Sequence, residues 1–123
     1  MREIKFRALV NGEWLYFDLT QNPKYWAHKL EGGIIDQYTG LKDKNGVEIY
    51  EGDIVDFTFF DYYDNGTNYK GVVKYRSGIY EIWKNNDSEF FGSDGPFILN
   101  FAWLQTEEFE VIGNIYEHKH LLE

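Results

Sequence analysis

Apolar and polar residues alternate along much of the chain, and this period of two is typical of β-strands with one buried face. Residues 4–8 alternate in this way, and after Asn11-Gly12 the run EWLYFDL resumes strand-like residues. Because Asn-Gly readily takes the positive φ angles of a type I′ turn, the pattern predicts a β-hairpin near the N-terminus.

Glycines and aspartates punctuate the stretch QYTGLKDKNGVEIYEGDIV, which covers residues 37–55. Thr39-Gly40 is predicted to end the strand IIDQY. Asp43-Lys44-Asn45-Gly46 is predicted to form a second tight turn, in which Asp and Asn side chains bond their own backbone. Glu51-Gly52-Asp53 then turns the chain into IVDFTFF. We therefore interpret this stretch as a series of turns rather than as a reaction centre.

Four further runs of aromatic and β-branched residues predict strands. They are Ile54 to Phe60, Gly71 to Arg76, Ile79 to Lys84 and Phe109 to Tyr116. Ser77-Gly78 separates the second run from the third and predicts a tight hairpin. Several short strands with one long loop indicate a small, strongly bent sheet or barrel.

Two segments have no decisive period. Residues 22–31 fit a short helix that Asn22-Pro23 would begin and Gly32-Gly33 would end, but they fit a strand equally well. The run FILNFAWL, residues 97–104, is apolar on every side. It is a buried strand, a buried helix turn or a subunit interface, and periodicity does not decide among these three.

Composition narrows the class of protein. The 123 residues include no cysteine, which excludes disulfides and thiolate metal sites. The N-terminal run MREIKFRALV alternates charged and apolar residues, so we expect neither a signal peptide nor a membrane span. We therefore expect a cytoplasmic protein. The net charge of −9 argues against a nucleic-acid partner, because phosphate neutralisation needs clustered Lys and Arg. Six acids and no base lie between Asn45 and Tyr69, so a basic partner fits better.

Three blocks, MREIKFRA, QYTGLKDKNGVEIYEGDIV and EVIGNIYE, together resemble the YopX family of small bacteriophage and prophage proteins. The resemblance implies a C-terminal SH3-like β-barrel, assembly of identical chains, with a trimer as one form, and a viral or prophage origin in the host cytoplasm. It supplies no enzymatic activity and no catalytic residues. The predicted fold is mainly β (β-rich α+β), with at most one or two short helices. An N-terminal hairpin lobe with one possible short helix covers residues 1–43, and the barrel covers residues 44–123.

Three carboxylates near the turn glycines are candidates for a general acid and base or for a magnesium site: Glu48, Glu51 and Asp53. Acids beside turn glycines usually bond backbone amides or water, and we expect Asp53 to bond nearby amides. His118 and His120, with Glu117 or Glu123, fit zinc by residue type, and they equally fit an ordinary polar chain end. We predict no catalytic residues, no metal and no cofactor, and leave the role of the two histidines open.

The loop FDYYDNGTNYKG, Phe60 to Gly71, would join the first two barrel strands. The tyrosine rings of this loop, together with the ring of Trp83, would form an aromatic groove for an extended or proline-rich peptide. The aspartates of the loop would attract an Arg or Lys of that peptide. The predicted partner-binding residues are Asp61, Tyr62, Tyr63, Asp64, Tyr69 and Trp83. The alternative is a long hairpin tip whose tyrosines fold back over the barrel.

These observations favour a non-enzymatic, self-associating phage accessory protein of uncharacterised role, with a host protein as a further possible partner. Its predicted interface is Phe97, Phe101 and Trp103, because a large apolar patch often marks an interface. One alternative is an acidic inhibitor that mimics nucleic acid and binds a host DNA-handling protein. A second alternative is a metal-dependent hydrolase that uses the three carboxylates above or the tail histidines.

Overall fold

A computed structural model describes residues 4–18, 34–105 and 108–123. In these ranges the chain forms nine strands, arranged in two antiparallel sheets, and one short α-helix. The strands are β1 (Lys5–Val10), β2 (Glu13–Asp18), β3 (Ile34–Lys42), β4 (Glu48–Tyr50), β5 (Asp53–Phe60), β6 (Gly66–Arg76), β7 (Ile79–Trp83), β8 (Phe97–Ile98) and β9 (Glu110–Asn114). The helix α1 covers Leu99–Gln105, and a 3-10 helix covers Lys119–Leu122. The prediction of a mainly β protein is confirmed.

The first sheet has the strand order β2-β1-β3-β4. The predicted N-terminal hairpin is confirmed, because β1 and β2 pair around Asn11 and Gly12 with φ angles of 53° and 80°. The predicted strand break at Thr39-Gly40 is wrong: β3 continues to Lys42. A shift of register after Tyr38 and a φ of 92° at Gly40 absorb the irregularity as a bulge instead.

The second sheet has the strand order β8-β7-β6-β5-β9. The predicted strands are confirmed, as is the hairpin at Ser77-Gly78, where both φ angles are positive. β6 starts at Gly66 rather than at Gly71, so half of the predicted loop is strand and the true turn is residues 61–65. Within the described residues β8 and β9 are the open edges of this sheet. No closed barrel is found there, and the SH3-like barrel stays a prediction.

The turn at Asp43 joins β3 to β4. The Asp43 carboxylate accepts hydrogen bonds from the backbone N–H groups of Asn45 and Val47 at 2.8 and 2.9 Å, as a turn aspartate does. β4 pairs with β3 across the predicted boundary at residue 43, and the division into two domains stays a prediction.

The main core lies between one face of the second sheet and α1. Phe57 is its centre, and its ring lies 5.5 Å from the rings of Phe97 and Phe109, within the range of favourable aromatic pairs. Leu99 and Ala102 of α1 are fully buried against it. Residues 97–104 are therefore a two-residue strand followed by a helix. Residues 22–31 lie outside the described residues.

Candidate functional site at the junction of the two sheets

A buried guanidinium joins the two sheets. Arg7 of β1 lies with Nη1 2.7 Å from Asp53 Oδ1 of β5, and its Nε donates to Asp36 Oδ2 of β3 at 3.2 Å. The three side chains are 7%, 2% and 2% exposed. Trp14 and Tyr50 hold the guanidinium carbon 4.4 and 4.9 Å from their ring centres, so it also gains cation–π attraction. Removal of Arg7 would leave two buried carboxylates without their counter-charge.

Tyr116 extends this cluster from the far end of the chain. Its hydroxyl donates to Asp36 Oδ1 at 2.6 Å, a charge-assisted hydrogen bond. Gly52 lies directly beside the pair, where a Cβ would be 2.9 Å from the Tyr116 hydroxyl oxygen and 3.2 Å from Asp36 Oδ2. We call Arg7, Asp36, Asp53 and Tyr116 the junction cluster.

Acid exceeds base in the junction cluster. Burial raises the pKa of Asp36, and it raises the pKa of Asp53 to about 6 even though Arg7 and the Tyr50 N–H favour the ionised form. Burial also raises the pKa of Glu51, and repulsion from Asp36 adds to that shift. Two carboxyl groups thus contact one guanidinium, whose Nη2 donates to the backbone carbonyl oxygen of Glu51 at 3.3 Å.

A pocket of about 440 Å³ opens beside the cluster, and we call it the seam pocket. Its lining includes two acidic residues, Asp36 and Glu51, and two basic residues, Lys74 and Lys119. Its apolar lining includes Ile115. Concave sites with a few convergent polar groups and perturbed pKa values are the usual places where proteins bind small ligands.

The three carboxylates singled out in the sequence do not share one pocket. Glu48 pairs with Lys5 at 2.7 Å and accepts a hydrogen bond from the Tyr50 hydroxyl, and it lines a second pocket together with Asp53. Glu51 lines the seam pocket instead. The prediction that Asp53 bonds a nearby amide is confirmed, because its Oδ2 accepts from the Tyr50 N–H at 2.8 Å.

The predicted aromatic groove is not assembled by these side chains. Tyr62 is 94% exposed at the β5–β6 turn, next to the exposed Tyr63. The Asp61 carboxylate stabilises that turn by accepting hydrogen bonds from two backbone N–H groups. Tyr69 packs instead against Phe91 and Phe97 at the edge of the core.

Trp83 belongs to the other face of the second sheet. It pairs with Val72, three residues along β6 from Tyr69, and successive side chains of a strand alternate between faces. Its indole N–H donates to Glu81, and Arg76 lies over its ring. Whether Asp61, Tyr62, Tyr63 and Asp64 bind a partner stays a prediction.

The three predicted interface residues have different surroundings. Phe97 is 9% exposed and packs inside the core, so its ring does not lie on the surface. The Trp103 indole N–H donates to the Lys42 carbonyl oxygen at 2.7 Å. Phe101 is 61% exposed, and Leu104, one helical turn further along, is 70% exposed.

Phe101 stands beside a groove of about 750 Å³ between β3 and the β7–β8 edge of the second sheet. Tyr75, Ile79 and Ile98 also line this groove, and each is exposed. None of the described residues that line it carries a charge. We call it the uncharged groove.

The tail histidines have structural contacts. His118 Nδ1 accepts a hydrogen bond from the Asn114 N–H at 3.1 Å, and its ring covers Gly113. The His118 and His120 ring centres are 6.4 Å apart. In residues 4–18, 34–105 and 108–123, no three His, Asp or Glu side chains are grouped so that they could hold a metal ion. In the same residues, no helix has the length and apolar surface that crossing a bilayer requires.

Comparison with known proteins identifies the family. A family model described as YopX protein matches residues 5–123, which is almost the whole chain. The chain belongs to the YopX family. No curated protein matches this YopX-family sequence. The crystal structure of protein EF1440 from Enterococcus faecalis is similar to it, with 24% identity over 100% of both chains and a TM-score of 0.55, and at that identity the similarity concerns the fold.

The three sequence blocks that resemble YopX meet at the junction cluster. The first block supplies Arg7, the second supplies Gly52 and Asp53, and the third supplies Tyr116. Sequence reasoning treated the second block as turns and missed Arg7, Asp36 and Tyr116. The available signal was the repeated occurrence of charged residues inside strand-like runs. Charged residues are buried only when they are paired, so their presence in predicted strands indicates buried ion pairs.

Proposed function

We propose that this YopX-family protein is a non-enzymatic accessory protein of a bacteriophage or prophage, which works in the host cytoplasm through protein contacts and assembles with copies of itself. Family membership supports the viral origin. The second sheet supports an SH3-like barrel, because β5 to β8 form a meander and β9 returns beside β5.

The observation that carries self-association is the uncharged groove. Lys, Arg, Asp and Glu make up 27% of the chain, yet the groove is lined by apolar and neutral polar residues. Exposed apolar surface of this kind often marks a protein interface, and aromatic residues are enriched in interfaces. Phe101 and Leu104 form an exposed apolar ridge on α1.

A second copy of this chain fits the groove better than a charged partner does. Two chains that each carry a net charge of −9 repel one another, and that repulsion is smallest where the meeting surfaces carry no charge. Interfaces between identical subunits are also more apolar than those of transient complexes. The family resemblance points to a trimer as the closed form.

Sedimentation at micromolar concentration tests this function. We expect the unaltered protein to sediment as an oligomer and Phe101→Asp to sediment as a single chain, because the substitution puts a carboxylate into the apolar interface. Tyr62→Asp is the matched control, since Tyr62 is a fully exposed ring outside the groove. A single chain at every concentration, or dissociation by the control variant as well, would refute self-association through this groove.

The two alternative functions receive less support from the geometry. Carboxylates lie on both sheets, and Asp36, Asp43 and Asp53 are buried among internal partners, which disfavours an acidic face that mimics nucleic acid. Glu48 and Glu51 line different pockets, which disfavours a shared catalytic site.

A further inference from the structure

The seam pocket contains opposite charges that are not paired with each other. Glu51 and Lys74 both line this pocket, close enough for the lysine to stabilise the Glu51 carboxylate. Among the described residues, neither Lys74 nor Lys119 forms an ion pair with Asp36 or Glu51. The Lys74 ammonium donates to Asn86 Oδ1 at 2.7 Å instead.

This arrangement has a simple electrostatic consequence. The buried Asp36 repels the Glu51 carboxylate, and a positive group bound at Glu51 would relieve that repulsion. A negative group on the same ligand would be attracted by Lys74 and Lys119. A simple organic cation carries no such group and would leave the positive charge of the two lysines uncompensated. The pocket therefore selects for a molecule that carries both charges.

Size and apolar lining restrict the ligand further. The volume of about 440 Å³ lies within the range of small-molecule sites, roughly 300–1,000 Å³. Ile35 and Ile115 contribute apolar surface to the lining of the seam pocket. The backbone of Gly52 also lines the pocket.

We propose that the seam pocket binds a small zwitterion of the apolar α-amino acid class, with the ammonium group towards Glu51 and the carboxylate towards Lys74 and Lys119. This ligand site is independent of the uncharged groove, which lies on different residues.

The test is a titration of the full chain, followed by NMR at the Gly52 amide, with L-leucine, L-isoleucine and L-phenylalanine as probes. For L-leucine the matched controls are isoamylamine, which lacks the carboxylate, and 4-methylpentanoate, which lacks the ammonium. We expect saturable shifts with at least one amino acid, and at least tenfold weaker binding of its single-charge analogues. No saturation by any of the three amino acids up to about 10 mM, well above the millimolar range of weak specific binding, would overturn the proposal. Equal binding of either analogue would overturn it as well.

Variants separate the site from general charge effects. Glu51→Gln and Lys119→Met keep most of the side-chain shape, and each should weaken amino acid binding at least tenfold. Lys84→Met is the control, because Lys84 is an exposed lysine that does not line the pocket. Equal weakening by the control would show a non-specific charge effect and would refute the proposed site. The unfolding midpoint of each variant checks that the fold is intact.

Discussion

Gly52→Ala tests whether the junction cluster is as tightly packed as the contacts indicate. Gly52 has a φ of +87°, a region that L-residues rarely adopt, and an added Cβ would lie 2.9 Å from the Tyr116 hydroxyl oxygen. The backbone cannot easily move away. The Gly52 N–H donates to the Val73 carbonyl oxygen, and its own carbonyl accepts from the Ile115 N–H, both at 2.8 Å.

The expected loss of stability has two parts. A left-handed backbone conformation costs an L-residue roughly 1–2 kcal/mol. Displacing Tyr116 from Asp36 removes a hydrogen bond to a buried charge, which contributes about 1.5–3 kcal/mol. The sum predicts that Gly52→Ala lowers the free energy of unfolding by roughly 2.5–5 kcal/mol.

Urea denaturation of Gly52→Ala and of Gly46→Ala gives two losses of unfolding free energy, and their difference measures the cost of displacing Tyr116 from Asp36. Gly46 has a φ of +80° and no atom within 4 Å of an added Cβ, so only the backbone cost of roughly 1–2 kcal/mol applies there. In a Tyr116→Phe background, which lacks the hydroxyl, the cost of Gly52→Ala should fall towards the Gly46→Ala value. Equal costs for the two glycine variants in the unaltered background would refute the close packing at Gly52.

Two further predictions concern the charges of the junction cluster. Arg7→Met should lower the free energy of unfolding by about 3–5 kcal/mol, because it leaves Asp36 and Asp53 buried without a counter-charge. Arg76→Met, at an exposed arginine, is the control in the same urea denaturation assay. Equal losses of stability in the two variants would contradict the prediction. Since burial raises the pKa of Asp53 from 3.8 to about 6, the folded state holds this proton more tightly than the unfolded state does, so stability should rise as the pH falls from 7.5 to 5. Asp53→Asn should reduce that rise by at most about 3 kcal/mol, because the raised pKa values of Asp36 and Glu51 maintain the rest of it. A fall in stability over the same interval for the unaltered protein would contradict the sign.

Local chemistry made the turns predictable from the sequence. Asn11-Gly12 and Ser77-Gly78 take positive φ angles because neighbouring residues alone favour this conformation, and both hairpins follow. Asp43 was recognised for the same reason, since its carboxylate bonds N–H groups two and four residues later. At these three turns the deciding interactions are contained within five residues, so distant partners are not needed to predict them.

Features that depend on distant partners were not predictable. Residues 66–70 look like a loop because they are polar, yet they become strand because β5 offers a continuous partner and Tyr69 packs opposite Phe57. Thr39-Gly40 looks like a break, but pairing to β4 on the far side of it carries the strand through as a bulge. Aromatic residues are so frequent that their number did not separate the core ring of Phe97 from the surface ring of Phe101.

The glycine- and acid-rich stretch from residue 37 to residue 55 has two structural roles, and its composition indicates only the first of them. It turns the chain between β3 and β5, and its second turn also positions Gly52 and Asp53 at the junction of the two sheets. The buried Asp53 carboxylate is stabilised there by Arg7, which lies far earlier in the sequence, and by the Tyr50 N–H. The same stretch therefore does more than turn the chain: Asp53 pairs with the buried guanidinium of Arg7, and Glu51 lines the seam pocket.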